Sequence, residues 1–533
     1  MDKKSKWGFS TKSIHIGNEE DKELGSISPP IHLSSTFKQD GVGKNRGHDY
    51  SRVSNPTRER LQENLAALDN AKYAICYSTG MAATTALFQL FDSGDHIIIS
   101  RNTYGGTYRM SMNVLKRQGI EFEWIDTRDP ENIKKYLKPN TKLVHVETPT
   151  NPLLELCDLE KTSKICKKAG VFLSVDNSFM SPYGQRPIDF DVDVVMQSST
   201  KSLSGHSDVL GGVLTTNNEV LAERLRFLLK ATGGVPSAFD NWILLRSTKT
   251  LALRYQRSSD NATELANWLD EQSNIDRVIY PGLSSHPQHE IAVKQQRSPE
   301  NKIIFGNMIS IDLGSLELRD NFLKNIEVFT LAESLGGVES LVCVPYNMTH
   351  AAVPKKTKLE MGITETLVRL AVGIEDLTDL KADLIKGLRM AYPDAQLISA
   401  NKSLKINQLK NKNLEFIDHG ISFDEDFKIN KLSKCWFGFN GFKNSTEVAL
   451  SYKSIDYLSY GVPLLNSAKE DTETLVLSEK IGFNFNENNL GNLIENLSII
   501  SRDDVIKMKK NAFKTFQNKF SGESFYNEMD TIK

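Results

Sequence analysis

Cysteine is scarce in this chain. Among 533 residues there are five, Cys76, Cys157, Cys166, Cys343 and Cys435, and none forms a Cys-x-x-Cys. That spacing excludes a zinc ribbon or a dense disulfide framework and leads to the expectation of reduced thiols in the cytoplasm. Long apolar runs are missing too. His96-Ile97-Ile98-Ile99 is among the longest, far below the roughly 20 residues that cross a bilayer, so no membrane span is expected. The start, Met1-Asp2-Lys3-Lys4-Ser5-Lys6, is polar and leads into no apolar segment, so no signal peptide is expected. There is no charge excess: 65 Lys and Arg against 67 Asp and Glu give a net charge of −2, which argues against a nucleic-acid surface. His286-Pro287-Gln288-His289 has no third ligand nearby, and its proline breaks a helical face, so no metal site is expected. Repeats and low-complexity tracts are absent.

What is present suits a globular protein. Hydrophobic residues make up 39% and charged residues 25%. The length exceeds one ordinary core, so two to four domains are expected. The organising stretch is Ser198-Ser199-Thr200-Lys201-Ser202, after the apolar run Val192 to Met196, with Gly205, Gly211 and Gly212 behind it. A lysine amine condenses with an aldehyde, and neighbouring hydroxyls can hold a phosphate; alone, the pattern also fits a solvated loop.

Earlier in the chain, residues 1–55 read as an extended polar arm suited to wrapping another subunit. It ends in Tyr50-Ser51-Arg52, a phenol and a guanidinium on one face of an extended segment, which suits a phosphate or a plain turn. Thr57 to Leu68 has helical spacing. Ala74 to Thr84 reads as strand, Ser-Thr-Gly turn and helix start, where free backbone N–H groups favour an anion and a glycine in the turn lets it approach closely. Strands are expected at His96–Ser100, Leu143–Glu147 and Val171–Val175. Tyr104, beside Gly105 and Gly106, can stack on a flat ring or simply pack. Asp176 follows a fully apolar strand, at the sheet edge where ligands bind; it can pair with a pyridinium nitrogen or cap a helix.

Strands alternate with helical patterns from about 70 to 215, which indicates a mostly parallel α/β sheet. Residues 216 to 260 look helical, with Trp242, Leu244, Leu245 and Leu251 as core candidates. Residues 275 to 390 suggest a smaller α+β domain. There Arg369 lies inside the apolar strand Leu367 to Val372, a costly charge unless paired, with either a substrate carboxylate or an internal acid.

Together these motifs resemble the Cys/Met-metabolism enzymes dependent on pyridoxal phosphate (PLP), the family of cystathionine γ-lyases, γ-synthases and β-lyases and methionine γ-lyases. The resemblance spans about residues 8 to 393. It rests on Tyr50-Ser-Arg52 with Asn55-Pro56-Thr57, Thr79-Gly80-Met81, Tyr104-Gly105-Gly106-Thr107, Glu147-Thr-Pro-Thr-Asn151-Pro, Asp176-Asn177, Ser198-Ser-Thr200-Lys201, Glu333-Ser334-Leu335-Gly336-Gly337 and Arg369. It implies an aminotransferase-like fold type I large domain (56–255) after the arm (1–55), and a small C-terminal domain (256–393). It implies PLP on Lys201, which also shuttles protons, with Asp176 on the ring nitrogen and Tyr104 stacked on the ring and assisting proton transfer. Gly80, Met81, Ser198 and Thr200 would bind the phosphate, and Tyr50 and Arg52 that of a neighbouring subunit. This implies a homo-oligomer, a dimer with shared sites and then a tetramer, acting on a small amino acid. Arg369, Ser334 and Asn151 would hold its carboxylate, with Asp49, Arg109 and Glu333 at its distal part. Gly106, in place of the cysteine of methionine γ-lyases, together with Glu333 and Asp49, leans toward γ-elimination of cystathionine. Synthase or β-lyase activity is the alternative.

After the polar link Ser399 to Ser403, residues 404–533 shift toward Asn and Lys. Lys434-Cys435-Trp436-Phe437-Gly438-Phe439 reads as a strand. A helix through Lys453 to Leu458, then Tyr460-Gly461-Val462-Pro463-Leu464-Leu465, resembles the nucleotide-sugar half of GT-B glycosyltransferases, without the acceptor half. The expectation is a Rossmann-like α/β appendage. A rival reading is a scaffold protein in which the lyase body carries this tail.

Overall fold

The computed structural model describes residues 6–272, 275–351, 353–388, 396–399, 415–418, 436–440, 452–469, 471–486 and 489–521. The chain forms two units. One is Met1–Glu271 with Ile275–Arg319 and Ile326–Asp383; the other is Gln272–Asn274 with Asp320–Asn325 and Leu384–Lys533.

The first unit is built on a seven-stranded sheet of β1 (Tyr73–Tyr77), β2 (His96–Ser100), β3 (Glu121–Ile125), β4 (Thr141–Glu147), β5 (Phe172–Asp176), β6 (Val194–Gln197) and β7 (Gly212–Thr216). The order is β1-β7-β6-β5-β4-β2-β3. Only β7 runs against its neighbours. The near-continuous apolar runs exist because both faces are covered. Ile97, Ile99, Leu143, Val194 and Met196 face one core, while Ile98, Val144, Val146 and Val195 face the other. Each fully buried aliphatic side chain contributes roughly 1.5–3 kcal/mol, so the sheet centre is a stable base for irregular loops at its ends. The helix Gly80–Phe88 returns the chain along this sheet, and its cap is the Thr79 side chain, which accepts from Ala82 N–H.

A second sheet, also in this unit, has the order β10-β11-β12-β9-β8, with β8 (Arg277–Ile279), β9 (Met308–Asp312), β10 (Thr330–Leu331), β11 (Leu341–Cys343) and β12 (Leu367–Ala371). Arg369 sits on the buried β12, opposite Ser310 of β9 and Cys343 of β11.

Several local expectations change. The arm is not wholly extended, since Phe9–His15 is helical. Phe9 packs into a core with Leu61 and Leu65, and Asn64 donates to the carbonyls of Ser13 and Ile16. Residues beyond that helix leave Leu24, Ile27, Leu33 and Val42 exposed. Trp242 is only partly buried, because its indole N–H reaches out to the Pro29 carbonyl; Leu244, Leu245 and Leu251 are core residues as expected. The strand expected from Val192 begins at Val194 because Asp193 turns aside, its carboxylate accepting from Leu173 N–H and its carbonyl from the Thr216 hydroxyl. Cys76, Cys157, Cys166 and Cys343 are buried free thiols. Among the described residues no three His, Cys, Asp or Glu side chains form a metal cluster, and no helix is long and apolar enough to cross a membrane.

The second unit contains β13 (Gln396–Ser399) parallel to β14 (Glu415–Asp418), and a parallel sheet of β15 (Gly438–Asn440), β16 (Leu464–Asn466) and β17 (Gly482–Asn484). Leu458, Leu464, Val476, Ile481 and Ala512 form its core. The helix Tyr452–Ser459 ends at Gly461, whose φ of +64° lets Val462 N–H bond back to the Tyr457 carbonyl. Lys434, Cys435 and most of the 399–403 link lie outside the described residues.

Candidate active site

Three strands of the large sheet end together. Glu147 of β4, Asp176 of β5 and Met196 of β6 are in register, and the loop after β6 carries Lys201. A cavity of about 360 Å³ opens there. Lys201 lines it with Gly80, Met81, Ser198 and Thr200, with Tyr104 and Asp176, and with Asn151, Glu333, Ser334 and Arg369. Residues more than 280 positions apart in sequence thus share one cavity.

Each side chain has a local reason for its position. The Lys201 loop is a tight turn: Lys201 N–H bonds to the Ser198 carbonyl at 3.1 Å and Gly205 N–H to the Lys201 carbonyl at 2.8 Å. The buried Arg254 clasps it from below, donating to the carbonyls of Ser202 (2.8 Å) and Ser247 (2.9 Å). Gly205 has φ +70°, and any side chain there would run into the Arg254 guanidinium. Ser178 links two parts of the site, since its N–H donates to Asp176 Oδ1 at 2.9 Å and its hydroxyl accepts from Ser198 N–H at 2.7 Å.

The Gly80–Phe88 helix points its N-terminus at the cavity. Thr79 satisfies Ala82 N–H, leaving the first N–H groups, at Gly80 and Met81, without an intrahelical acceptor. A Cβ on Gly80 would lie 3.0 Å from the Ser198 hydroxyl, so the glycine keeps that space open. These free N–H groups and the Ser198 hydroxyl are suited to a phosphate, with the Thr200 hydroxyl, bonded here to the Gly211 backbone, beside them.

The electrostatics are those of a buried site. Burial pulls the Lys201 amine down to about 8, with Arg369 adding to the shift. Its Nζ donates to the Ser334 hydroxyl at 2.9 Å. Burial likewise raises Asp176 above the ordinary carboxylate range, and it raises Glu147 further, with Asp176 beside it as a second cause. A cationic ring nitrogen against Asp176 would relieve that cost. Arg369, 2% exposed, donates to Asn151 Oδ1 at 2.7 Å and to the Ser334 carbonyl at 2.9 Å. Among the described residues it pairs with no carboxylate, and its Nε is buried without a hydrogen-bond partner, so its charge is available to an anionic ligand. The internal acid partner considered from the sequence is not found there. Ser334 holds φ at +114°, a sparsely populated conformation for a residue with a side chain and one that collects at functional sites.

This set of groups fits PLP: a phosphate cradle, a lysine amine that is partly neutral near pH 7, a buried acid and an aromatic ring in one cavity. Four of the sequence-proposed residues do not line it in the same chain. Asp49 and Tyr50 lie on the arm; Arg52 donates to the Lys230 carbonyl at 2.7 Å and stacks 5.4 Å from the Tyr50 ring centre. Arg109 is exposed on the helix Gly105–Asn113. Ser178 and Thr349 also line the cavity; Thr349 lies in Met348-Thr-His350-Ala, a stretch that resembles the γ-lyases and γ-synthases, whereas Ser178 belongs to none of the family motifs. Ser178 carried a signal in its place two residues after Asp176.

A family model described as "Cys/Met metabolism PLP-dependent enzyme" matches residues 10–389. Cystathionine gamma-lyase of Bacillus subtilis (strain 168) is 46% identical over 378 residues, 71% of this chain and 98% of that protein. Cystathionine beta-lyase of Lactococcus lactis subsp. cremoris (strain MG1363) is 43% identical over 380 residues, again 71% and 98%. Among solved structures, cystathionine gamma synthase from Xanthomonas oryzae pv. oryzae, in complex with aminoacrylate and cysteine, superposes with a TM-score of 0.69 at 38% identity, covering 72% of this chain and 98% of that one. The matched span holds every cavity residue named above, and the chain belongs to the Cys/Met-metabolism family of PLP-dependent enzymes.

Proposed function

We propose that this protein is a cystathionine γ-lyase, converting cystathionine and water to cysteine, 2-oxobutanoate and ammonia. The observation that carries the reading is the convergence in one cavity of Lys201 Nζ, Ser334 and Arg369, which forms no ion pair among the described residues. Gly106 favours the γ-lyase: a side chain there would collide with the Tyr104 ring and crowd Met81, so the ring stands clear. Glu333, exposed at the cavity, suits the distal ammonium of cystathionine.

The bound PLP would supply an electron sink that stabilises charge left at the substrate Cα. Gly80, Met81, Ser198 and Thr200 would hold its phosphate, Asp176 its ring nitrogen and Tyr104 its face. Arg369, Asn151 and Ser334 hold the substrate carboxylate. Lys201, with its amine lowered to about 8, takes the Cα proton near neutral pH and then moves a proton at Cβ. The Tyr104 hydroxyl delivers a proton to the departing sulfur.

A second reading, β-elimination or γ-replacement at the same site, is favoured by relatives and structures bearing those names. A panel of cystathionine, O-acetyl- and O-succinylhomoserine with cysteine, homocysteine, and methionine separates them. The γ-lyase reading expects 2-oxobutanoate from cystathionine as the fastest reaction. Pyruvate and homocysteine as main products would replace it with β-elimination, and cystathionine formation with synthase activity.

The arm carries the second element of the proposal. Asp49, Tyr50 and Arg52 are absent from the cavity of their own chain, which supports a homodimer with shared sites, assembled into a tetramer. Mixing inactive Lys201→Ala with inactive Arg52→Ala subunits is expected to restore part of the activity, because one hybrid site then has both residues. No recovery despite proven subunit exchange would contradict the shared site. For the C-terminal unit we retain a Rossmann-like appendage at 404–533, supported by the parallel β15-β16-β17 sheet and by the Gly461-Val462-Pro463 turn between helix and strand. Its likeness to half of a GT-B enzyme stands on that turn alone, and the lyase division at 56–255 and 256–393 is retained with it.

A further inference from the structure

Glu147 is a buried acid with no part in the chemistry proposed above. It is 5% exposed and ends β4 beside Asp176. Its two carboxylate oxygens are used separately. Oε2 accepts from the backbone N–H of Tyr104 at 2.8 Å, and Oε1 accepts from the backbone N–H of Asn151 at 2.8 Å. These two residues sit on different loops, one after β2 and one after β4. The Glu147 N–H donates to the Ser100 hydroxyl at the end of β2, so the acid is itself tied to both strands.

The bonds continue across the site. The Asn151 side chain accepts from Arg369, Arg369 donates to the Ser334 carbonyl, and the Ser334 hydroxyl accepts from Lys201. An unbroken chain thus runs from the Tyr104 backbone to the Lys201 amine, with Glu147 as its only acidic member. Burying a carboxylate beside Asp176 is costly. An asparagine or serine would cap one loop at lower cost, but only a carboxylate offers two acceptors to two donors with no donor of its own, and those two N–H bonds with the Arg369 charge oppose the burial that raises the Glu147 pKa.

We propose that Glu147 is a positioning residue that fixes the Tyr104 and Asn151 loops as one unit, so that the stacking of the cofactor ring and the grip on the substrate carboxylate are set together. The inference rests on the roles given above to Tyr104 and Asn151. Glu147→Gln keeps the size but turns an N–H₂ toward one of the two backbone donors, and Glu147→Ala removes both acceptors.

The test combines hydrogen exchange over residues 101–107 and 148–156, measured with and without PLP, with PLP affinity and with kcat and KM for cystathionine. Glu147→Ala is expected to speed exchange in both loops. PLP affinity should fall and KM should rise by about tenfold to a hundredfold each, the size expected when buried donors lose their acceptor, with Glu147→Gln intermediate. The loss from Asn151→Ala should be smaller in the Glu147→Gln background than alone, since residues acting through one another are not additive. If neither loop, or only one, exchanges faster in either variant, the tie between the loops is wrong. If both loops loosen while PLP affinity and KM hold, the roles assigned to Tyr104 and Asn151 fail, and the coupling with them. Should Glu147→Ala fail to fold, the isosteric Glu147→Gln carries the same comparisons.

Discussion

Lys201→Ala is expected to lower kcat on the order of 10⁴-fold or more while the protein keeps its fold. In the proposed reading the amine would serve twice, as the group that holds the cofactor and as the base that moves the Cα proton, and among the described residues no second lysine lines the cavity. Its removal should not unfold the chain. The turn around it is held by backbone bonds and by Arg254, not by the lysine side chain. The amine is also desolvated, with its pKa lowered to about 8, so its loss removes a burial cost. Steady-state kinetics with a circular-dichroism melt checks both halves, and near-normal turnover would remove the central claim.

Asp176→Asn is expected to cost on the order of 10²- to 10³-fold in kcat, the size seen when one preorganised electrostatic partner is removed. Asparagine keeps the shape and can still accept from Ser178 N–H through Oδ1, so the loop stays in place. What it loses is the negative charge that, in the proposed reading, would keep a ring nitrogen protonated and the ring electron-poor. Stability should hold or rise. Burial raises the folded-state pKa of Asp176 above 3.8, so its ionisation costs stability as pH climbs from 3.8 through that raised value, and a neutral side chain is free of the cost. Kinetics and a melt at neutral pH measure both effects.

The large sheet was legible because it is buried on both faces. His96–Ser100 and the Leu143 and Val171 regions are apolar runs bounded by polar turns, and they form strands within one or two residues of expectation. The site was legible where chemistry violates burial: a lysine after a core strand, an aspartate at a strand end and Arg369 inside an apolar strand. The helix at Phe9–His15 was missed because its buried side consists mainly of one phenylalanine and a serine, too weak a stripe to show periodicity. Trp242 misled because an indole is large and apolar yet carries one N–H that seeks a partner. The work of Glu147 was invisible because both of its partners are backbone groups, which no side-chain pattern encodes.

The most direct measurement is reduction of the PLP-loaded protein with borohydride, which fixes a lysine-bound aldehyde irreversibly, followed by peptide mass spectrometry. The account predicts the added pyridoxyl-phosphate mass on the peptide containing Lys201, near one per chain, and none after Lys201→Ala. Stoichiometric modification of another lysine, or none in protein that turns over cystathionine, would contradict it.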